Sequence, residues 1–323
     1  MFDILGVAAL LALAAFFTWL AMRARRSNHP VVKWAGLVPS SLLTLACILF
    51  MGIALVGFYK INFPPRRPTV ADVRVAGSPE QLARGARFAV LCAQCHSPNE
   101  QPPLIGQNFL VNGPPVGTVY APNLTPAGEI KDWSDGDIIR AIREGVHKSG
   151  RALIIMPSES FHNMSDADVQ AIVAYLRSQP AAGTSSPPMK LNVLGGLFVG
   201  ALVPTSVQSP ITHPIMAPPE GESAEYGKYL VSILACQVCH GENFAGRKAG
   251  GPGPPGGPNL TQFIPKWTAE EFIHTLRTGV DPYNHTLINE MPWKAISTFA
   301  SDSDLTAIYA YLHGLTPIEG PAK

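Results

Sequence analysis

The sequence predicts an all-α chain, with two membrane-spanning helices at the N-terminus followed by two tandem copies of one small helical domain. Three observations predict this. Two long apolar runs near the N-terminus carry no charge. The region after residue 78 repeats one series of motifs in the same order. No stretch keeps the two-residue alternation of a half-buried strand.

Length and composition fit that plan. The chain has 323 residues, of which 46% are apolar and only 15% charged. That is too apolar for an ordinary soluble protein and too polar for a transporter made mostly of spans. The formal net charge of +1 gives no electrostatic basis for a nucleic-acid partner. The 31 prolines and 29 glycines fall mostly after residue 60, which predicts a soluble part rich in ordered loops.

The first apolar run lies between Asp3 and Arg23 and the second between Lys33 and Lys60, 19 and 26 residues without a charge. Each is long enough for a hydrocarbon core, which needs about 20 residues. A cleaved signal peptide would carry its positive charge before the apolar core. Here Asp3 precedes the first run and Arg23, Arg25 and Arg26 follow it, so residues 1–62 read as a retained two-helix anchor. Arg23, Arg25, Arg26 and Lys33 place the connecting loop in the cytoplasm, and everything after Lys60 outside; Lys60, Arg66 and Arg67 weigh slightly against that orientation. Cys47 reads as a lipid-facing or packed thiol. A lipoprotein cleavage site at Thr44-Leu45-Ala46-Cys47 is the alternative, disfavoured because the apolar run continues past the cysteine. Leu191–Pro204 is apolar too, but short and flanked by prolines. It reads as an interdomain segment that packs on the domains or dips into the membrane interface.

The repeat defines a first domain over 78–180, a linker over 181–221 and a second domain over 222–318. The first copy reads Cys92-Ala-Gln-Cys95-His96, Pro122-Asn-Leu-Thr125, Trp133, Arg143-Glu-Gly-Val146, Met156-Pro157 and Asp166-Ala-Asp168. The second reads Cys236-Gln-Val-Cys239-His240, Pro258-Asn-Leu-Thr261, Trp267, Arg277-Thr-Gly-Val280, Met291-Pro292 and Asp302-Ser-Asp304. Each copy predicts a helix into the cysteine pair, over Pro79–Val90 and Ser223–Leu234. A middle helix is predicted from Ser134 or Thr268, and a final helix from Ser165 or Ser301. At each of these four starts a hydroxyl is followed three residues later by an acid, the signature of an N-cap.

Cys-x-x-Cys-His is the attachment signal for a c-type haem. Two thioethers must reach two vinyl groups on one porphyrin edge, and the following His must turn under the ring toward iron. A zinc site would need four neighbouring ligands, whereas each pair stands in its own copy, and a redox dithiol does not need the His. Two covalently attached haem c groups are therefore expected, on Cys92, Cys95 and His96 and on Cys236, Cys239 and His240. A Met opposite the His gives a closed, electron-transferring iron. Met291 is the only methionine after the second motif, 13 residues before Asp304; Met156 lies 12 residues before Asp168, and Pro follows both. Met164 is the rival in the first copy, but its counterpart is Ala300, which cannot bind iron. His147, His162, His274, His285 and His313 read as surface or satisfied polar groups. Arg143 and Arg277 fit either a haem propionate or a solvated helix face, and Trp133 and Trp267 fit core packing.

At these residues the sequence resembles the cytochrome c subunits of periplasmic alcohol and aldehyde dehydrogenases and related tandem-haem cytochromes. The stretch Gly117–Pro126, then Trp133-Ser-Asp-Gly-Asp137 and Arg143-Glu-Gly-Val146, carries the resemblance, as does Met-Pro before an acidic helix ending in Ala-Tyr-Leu. It covers about 78–180 and 222–316. It implies a cytochrome c fold in each copy, with His96 and His240 as proximal ligands and Met156 and Met291 as distal ones. Those subunits often carry three haems and attach by a C-terminal segment, so their redox partner does not carry over. A two-span anchor before tandem haems also resembles the dihaem subunit of some haem–copper oxidases, though the domain motifs match that group less well.

The expected function is a membrane-anchored electron carrier on the periplasmic face of a bacterial cytoplasmic membrane. It would join a dehydrogenase or quinol-oxidising complex to a soluble cytochrome or terminal oxidase, in a respiratory or photosynthetic chain. The alternative is a dihaem enzyme, a peroxidase or small-molecule dehydrogenase, which needs one open iron. A third possibility is an anchor subunit for a larger complex, compatible with electron transfer.

Overall fold

The computed structural model describes residues 4–63, 72–109, 113, 115–204, 206–248 and 255–320. Asp3, Arg66 and Arg67, used above for orientation, lie outside them.

The N-terminal hairpin consists of α1 (Ile4–Arg25) and α2 (Pro30–Asn62). Both are long and apolar enough to cross a membrane. No residue of α1 is buried, and both helices present large side chains such as Leu5, Trp34, Leu45 and Leu49 outward. Cys47 is 9% exposed, a packed thiol.

The first domain begins with α3 (Pro79–His96), capped by Ser78 in a reciprocal box with Gln81. A loop follows in which β1 (Gln107–Asn108) pairs antiparallel with β3 (Tyr120–Ala121). Then come a 3-10 turn at Glu129–Asp132, α4 (Asp135–Glu144), the short α5 (Ser158–Phe161) and α6 (Asp166–Ser178). The linker contributes β4 (Lys190–Leu191), paired with β2 (Gly117–Thr118), and α7 (Val193–Leu202). The second domain repeats the plan in α8 (Ala224–Ile233), α9 (Cys236–His240), α10 (Leu260–Phe263), a 3-10 turn at Ile264–Lys266, α11 (Ala269–Thr278), α12 (Trp293–Phe299) and α13 (Asp302–His313). The strand pairs are only two residues long and leave the chain all-α. The predicted caps are present: Ser134, Ser165, Thr268 and Ser301 each accept the N–H three residues on.

In each domain the entry helix crosses the final helix at a glycine. A methyl group at Gly85 would lie 2.0 Å from the Ala171 carbonyl oxygen, and one at Gly227 would lie 1.9 Å from that of Ala307. Contact this close admits no side chain. The two copies differ just before the cysteine pair. In the first, α3 runs straight through the cysteine pair. In the second, Ala235 takes a left-handed φ of 59° and breaks the helix between α8 and α9.

One hydrophobic core runs through both domains, from Phe88, Ile142 and Leu176 to Tyr226, Phe272, Phe299 and Leu312. A second, smaller cluster joins α2 and α7 to the first domain through Ala54, Phe58, Ile61, Val119 and Val199. Within 191–204, α7 packs on α2 and at 10 residues is shorter than the about 20 a span needs.

Candidate haem-binding sites

The two histidines are positioned alike. His96 closes α3 and is 7% exposed; His240 closes α9 and is 7% exposed. His96 Nδ1 lies 2.8 Å from the Pro122 carbonyl oxygen and His240 Nδ1 lies 2.9 Å from that of Pro258. A carbonyl only accepts, so Nδ1 is the donor in each ring and Nε2 keeps its lone pair. Burial lowers the pKa of both imidazoles, which favours the neutral, metal-binding form.

The repeated Pro-Asn-Leu-Thr motif supplies those carbonyls. Asn123, fully buried, donates Nδ2 to the carbonyls of Ala182 and Thr184 at 2.8 and 3.1 Å and accepts the Thr125 N–H at 2.8 Å. Asn259 repeats this with the Ile318 carbonyl at 2.8 Å and the Thr261 N–H at 3.0 Å. Each Asn ties the His-orienting loop to the chain just beyond the domain's last helix.

Cys92, Cys95, Cys236 and Cys239 form no disulfide. Burial pushes Cys92 and Cys236 up to about 12 and raises Cys95 and Cys239 as well. These surroundings favour the neutral thiol over the thiolate of a reactive dithiol. Among the described residues no cluster of three or more His, Cys, Asp or Glu side chains could hold a metal.

Met156 and Met291 occupy matched places, each followed by the proline that caps a short helix, α5 or α12. The carbonyl of each accepts from the second residue on, Met156 from Ser158 at 2.8 Å and Met291 from Trp293 at 2.7 Å. Both side chains are partly buried against the core. The rival Met164 is 1% exposed and its counterpart Ala300 3%; the two occupy one buried position of the core.

Trp133 packs against the core edge-on to His147, with ring centroids 4.7 Å apart. The buried indole N–H of Trp267 meets no partner among the described residues and is a donor that a haem carboxylate would satisfy. His147 bonds Glu129 and Ser149, His162 the Arg143 carbonyl and His285 Asp281; His274 and His313 are exposed. Arg143 does not lie on a solvated face, whereas the Arg277 side chain is 30% exposed. Arg143 is 3% exposed, and Arg277 donates to Asp302, Ser297 and Ala300.

Donor set, burial and tautomer thus fit a covalently bound haem in each half, and fold and site together define a c-type electron-transfer protein. The family described as "Cytochrome c" matches residues 82–180, and that described as "Cytochrome C oxidase, cbb3-type, subunit III" matches residues 222–312. Each half thus carries a cytochrome c domain. The chain is 30% identical over 284 residues to a nicotinate dehydrogenase subunit of Pseudomonas putida, covering 78% of this chain and 23% of that protein. It is 24% identical over 300 residues to the cytochrome c subunit of the quinone-dependent alcohol dehydrogenase of Gluconobacter oxydans, covering 82% and 60%. The gluconate 2-dehydrogenase cytochrome c subunit of Pantoea cypripedii is 31% identical over 179 residues, covering 50% and 36%. The chain thus spans less than two thirds of the length of each of these relatives.

Proposed function

We propose that the chain is a membrane-anchored dihaem cytochrome that carries electrons out of a dehydrogenase complex. Cys92 and Cys95 would hold one haem and Cys236 and Cys239 the other. His96 with Met156, and His240 with Met291, would close the two irons. Haem c supplies a one-electron iron couple, and a His/Met pair raises its potential. The protein's part is to fix the imidazole through the Pro122 and Pro258 carbonyls, to seat each Met at the head of α5 or α12, and to keep both donor sets in an apolar core. The observation that carries the reading is the duplication of this whole donor set.

The anchor reading rests on the outward apolar faces of α1 and α2 and on the basic loop between them, which favours the cytoplasm. Haem is attached to c-type cytochromes outside the cytoplasmic membrane, so both domains would lie on the periplasmic face of a bacterial inner membrane. Relatives named as dehydrogenase subunits make a dehydrogenase the favoured donor, and a quinol-oxidising complex is the other. A soluble cytochrome or terminal oxidase would receive the electrons.

A redox titration with difference spectra tests this on wild type, Met156→Ala and Met291→Ala. Two high-potential, six-coordinate haems are expected, each variant losing the Met signature of one. Carbon monoxide binding to the wild-type ferrous protein would reveal an open iron and overturn the carrier reading.

A further inference from the structure

The two Cys-x-x-Cys-His motifs are built alike but differ in the charges around them. In each copy the chain returns to the motif at a glycine whose N–H donates to the carbonyl of the motif's His, Gly106 to His96 at 2.7 Å and Gly246 to His240 at 2.9 Å. The next side chain then reaches the carbonyl of the residue just before the second cysteine. Gln107 Nε2 donates to the Gln94 carbonyl at 3.2 Å, and Arg247 Nη1 to that of Val238 at 3.1 Å. One hydrogen bond is thus made twice, once by a neutral amide and once by a cation. Beyond it the Arg247 guanidinium has no carboxylate partner among the described residues. Its charge is felt at the motif: burial raises the Cys239 thiol, and Arg247 works against that rise.

The second difference lies in the loop that orients each His. The Trp133 N–H donates to the Ile130 carbonyl at 3.1 Å, and the Trp267 N–H to the Ile264 carbonyl at 3.1 Å. The residues before those two isoleucines, Glu129 and Phe263, therefore stand at one position. The Glu129 N–H donates to the Asn123 carbonyl at 3.0 Å, one residue from the Pro122 carbonyl that takes His96 Nδ1. The hydrogen bond from His147 Nε2 at 2.6 Å holds the Glu129 carboxyl below its usual range, so it is ionised at neutral pH. Burial lowers the His96 pKa, and the Glu129 charge opposes that fall. Arg151 Nη2, 3.9 Å from Glu129 Oε1, offsets part of the charge. The His240 ring is acted on by burial and by the Pro258 carbonyl.

Ferric haem iron carries one positive charge more than ferrous iron. A nearby anion therefore favours the oxidised state and lowers the potential, and a nearby cation raises it. We propose that Glu129 and Arg247 set the two haems apart in potential, the first domain's lower and the second's higher, so that electrons enter through the first domain and leave through the second. This ordering rests on the reading of one haem in each domain. Arg247 is exposed, so its share of the gap is screened by salt.

The test is redox titration of the haem-loaded full chain in detergent, each haem being assigned by the Met156→Ala or Met291→Ala variant that moves it. In the wild type the first haem should have the lower potential. Glu129→Gln should raise the first haem's potential and Arg247→Gln lower the second's. Together they should cut the equilibrium constant for electron transfer from the first haem to the second at least threefold. If Glu129→Gln does not fold, Gln107→Arg carries the test, because it keeps the hydrogen bond to Gln94 and adds the cation; it should raise the first haem alone. Equal potentials, the reverse order, or potentials unmoved in variants that still hold two haems overturn the proposal and leave the dihaem carrier standing. A wild-type chain that takes up fewer than two haems overturns the carrier reading and the ordering with it.

Discussion

At the scale of single residues, a peptide carbonyl decides which nitrogen of each proposed ligand His is free for iron, and a buried Asn holds that carbonyl in place. Asn123→Ala removes the donor to Ala182 and Thr184 and the acceptor of the Thr125 N–H. Leaving these groups unmet in a fully buried site should cost about 2–3 kcal/mol, read by chemical denaturation, and should shift the potential of the first haem more than the second. The motif was legible because it occurs twice. Its role was not, because the partners at 182 and 184 lie beyond the domain's last helix, some 60 residues away in sequence. Glu129 belongs to the same loop, and its hydrogen bond from His147, ahead of the opposing burial and the nearby Arg151 charge, holds its carboxyl below the usual 4.5. A depressed acid stabilises the fold above its unfolded pKa and loses that contribution as pH falls through the folded one. Stability should therefore fall below about pH 4.5, and the fall should be shallower in Glu129→Gln when denaturation midpoints are compared across pH.

At the scale of elements, local chemistry made the helix starts readable and tertiary contact decided the rest. The Ser-x-x-Asp pairs at Ser165 and Ser301 look identical in sequence. In the second copy the box closes, with the Ser301 N–H on Asp304 Oδ2 at 2.7 Å. In the first the Ser165 N–H turns to the Tyr229 hydroxyl of the other domain at 3.0 Å. The α7 segment shows the same limit. Its composition suggested burial, but only its partner shows where. A methyl group at Gly57 would lie 2.0 Å from the Gly196 carbonyl oxygen, and Lys60 Nζ donates to the carbonyls of Val199, Gly200 and Val203 at 3.1–3.3 Å, capping α7. Leu194, Phe198 and Leu202 point outward at one-turn spacing, continuous with the apolar surface of α2. Gly57→Leu should prise α7 from α2, and limited proteolysis in detergent should then cut within 193–204 faster than in the wild type. An unchanged cleavage rate would mean that α7 is held by the domains alone.

At the scale of the whole molecule, the two cytochrome domains meet through a pseudo-two-fold contact that no reading of either copy alone could disclose. Each entry helix packs on the short helix behind the other domain's Met-Pro, α3 on α12 and α8 on α5. Arg87 and Tyr229 both stand two residues past the crossing glycine. Arg87 donates to Asp304 Oδ2 at 2.8 Å and to the Phe299 carbonyl at 2.9 Å, while the Tyr229 hydroxyl donates to Asp168. Asp168 and Asp304 are themselves matched, so one pattern of contact is made twice with different donors. The duplication was visible as recurring motifs, but the docking face was not, because Arg and Tyr share no sequence signal. Phe299 lies at the centre, 2% exposed, with its ring 5.2 Å from that of Phe88 and 4.6 Å beneath the Arg87 guanidinium. Because the core is continuous, the two domains should unfold together in a single calorimetric transition. Phe299→Ala removes the ring that both domains share and should cost about 3–5 kcal/mol. It should also resolve the transition into two, the first domain melting apart from the second. A wild-type endotherm already split in two would show that the shared core does not couple them, and that the haem domains behave as independent beads on the linker.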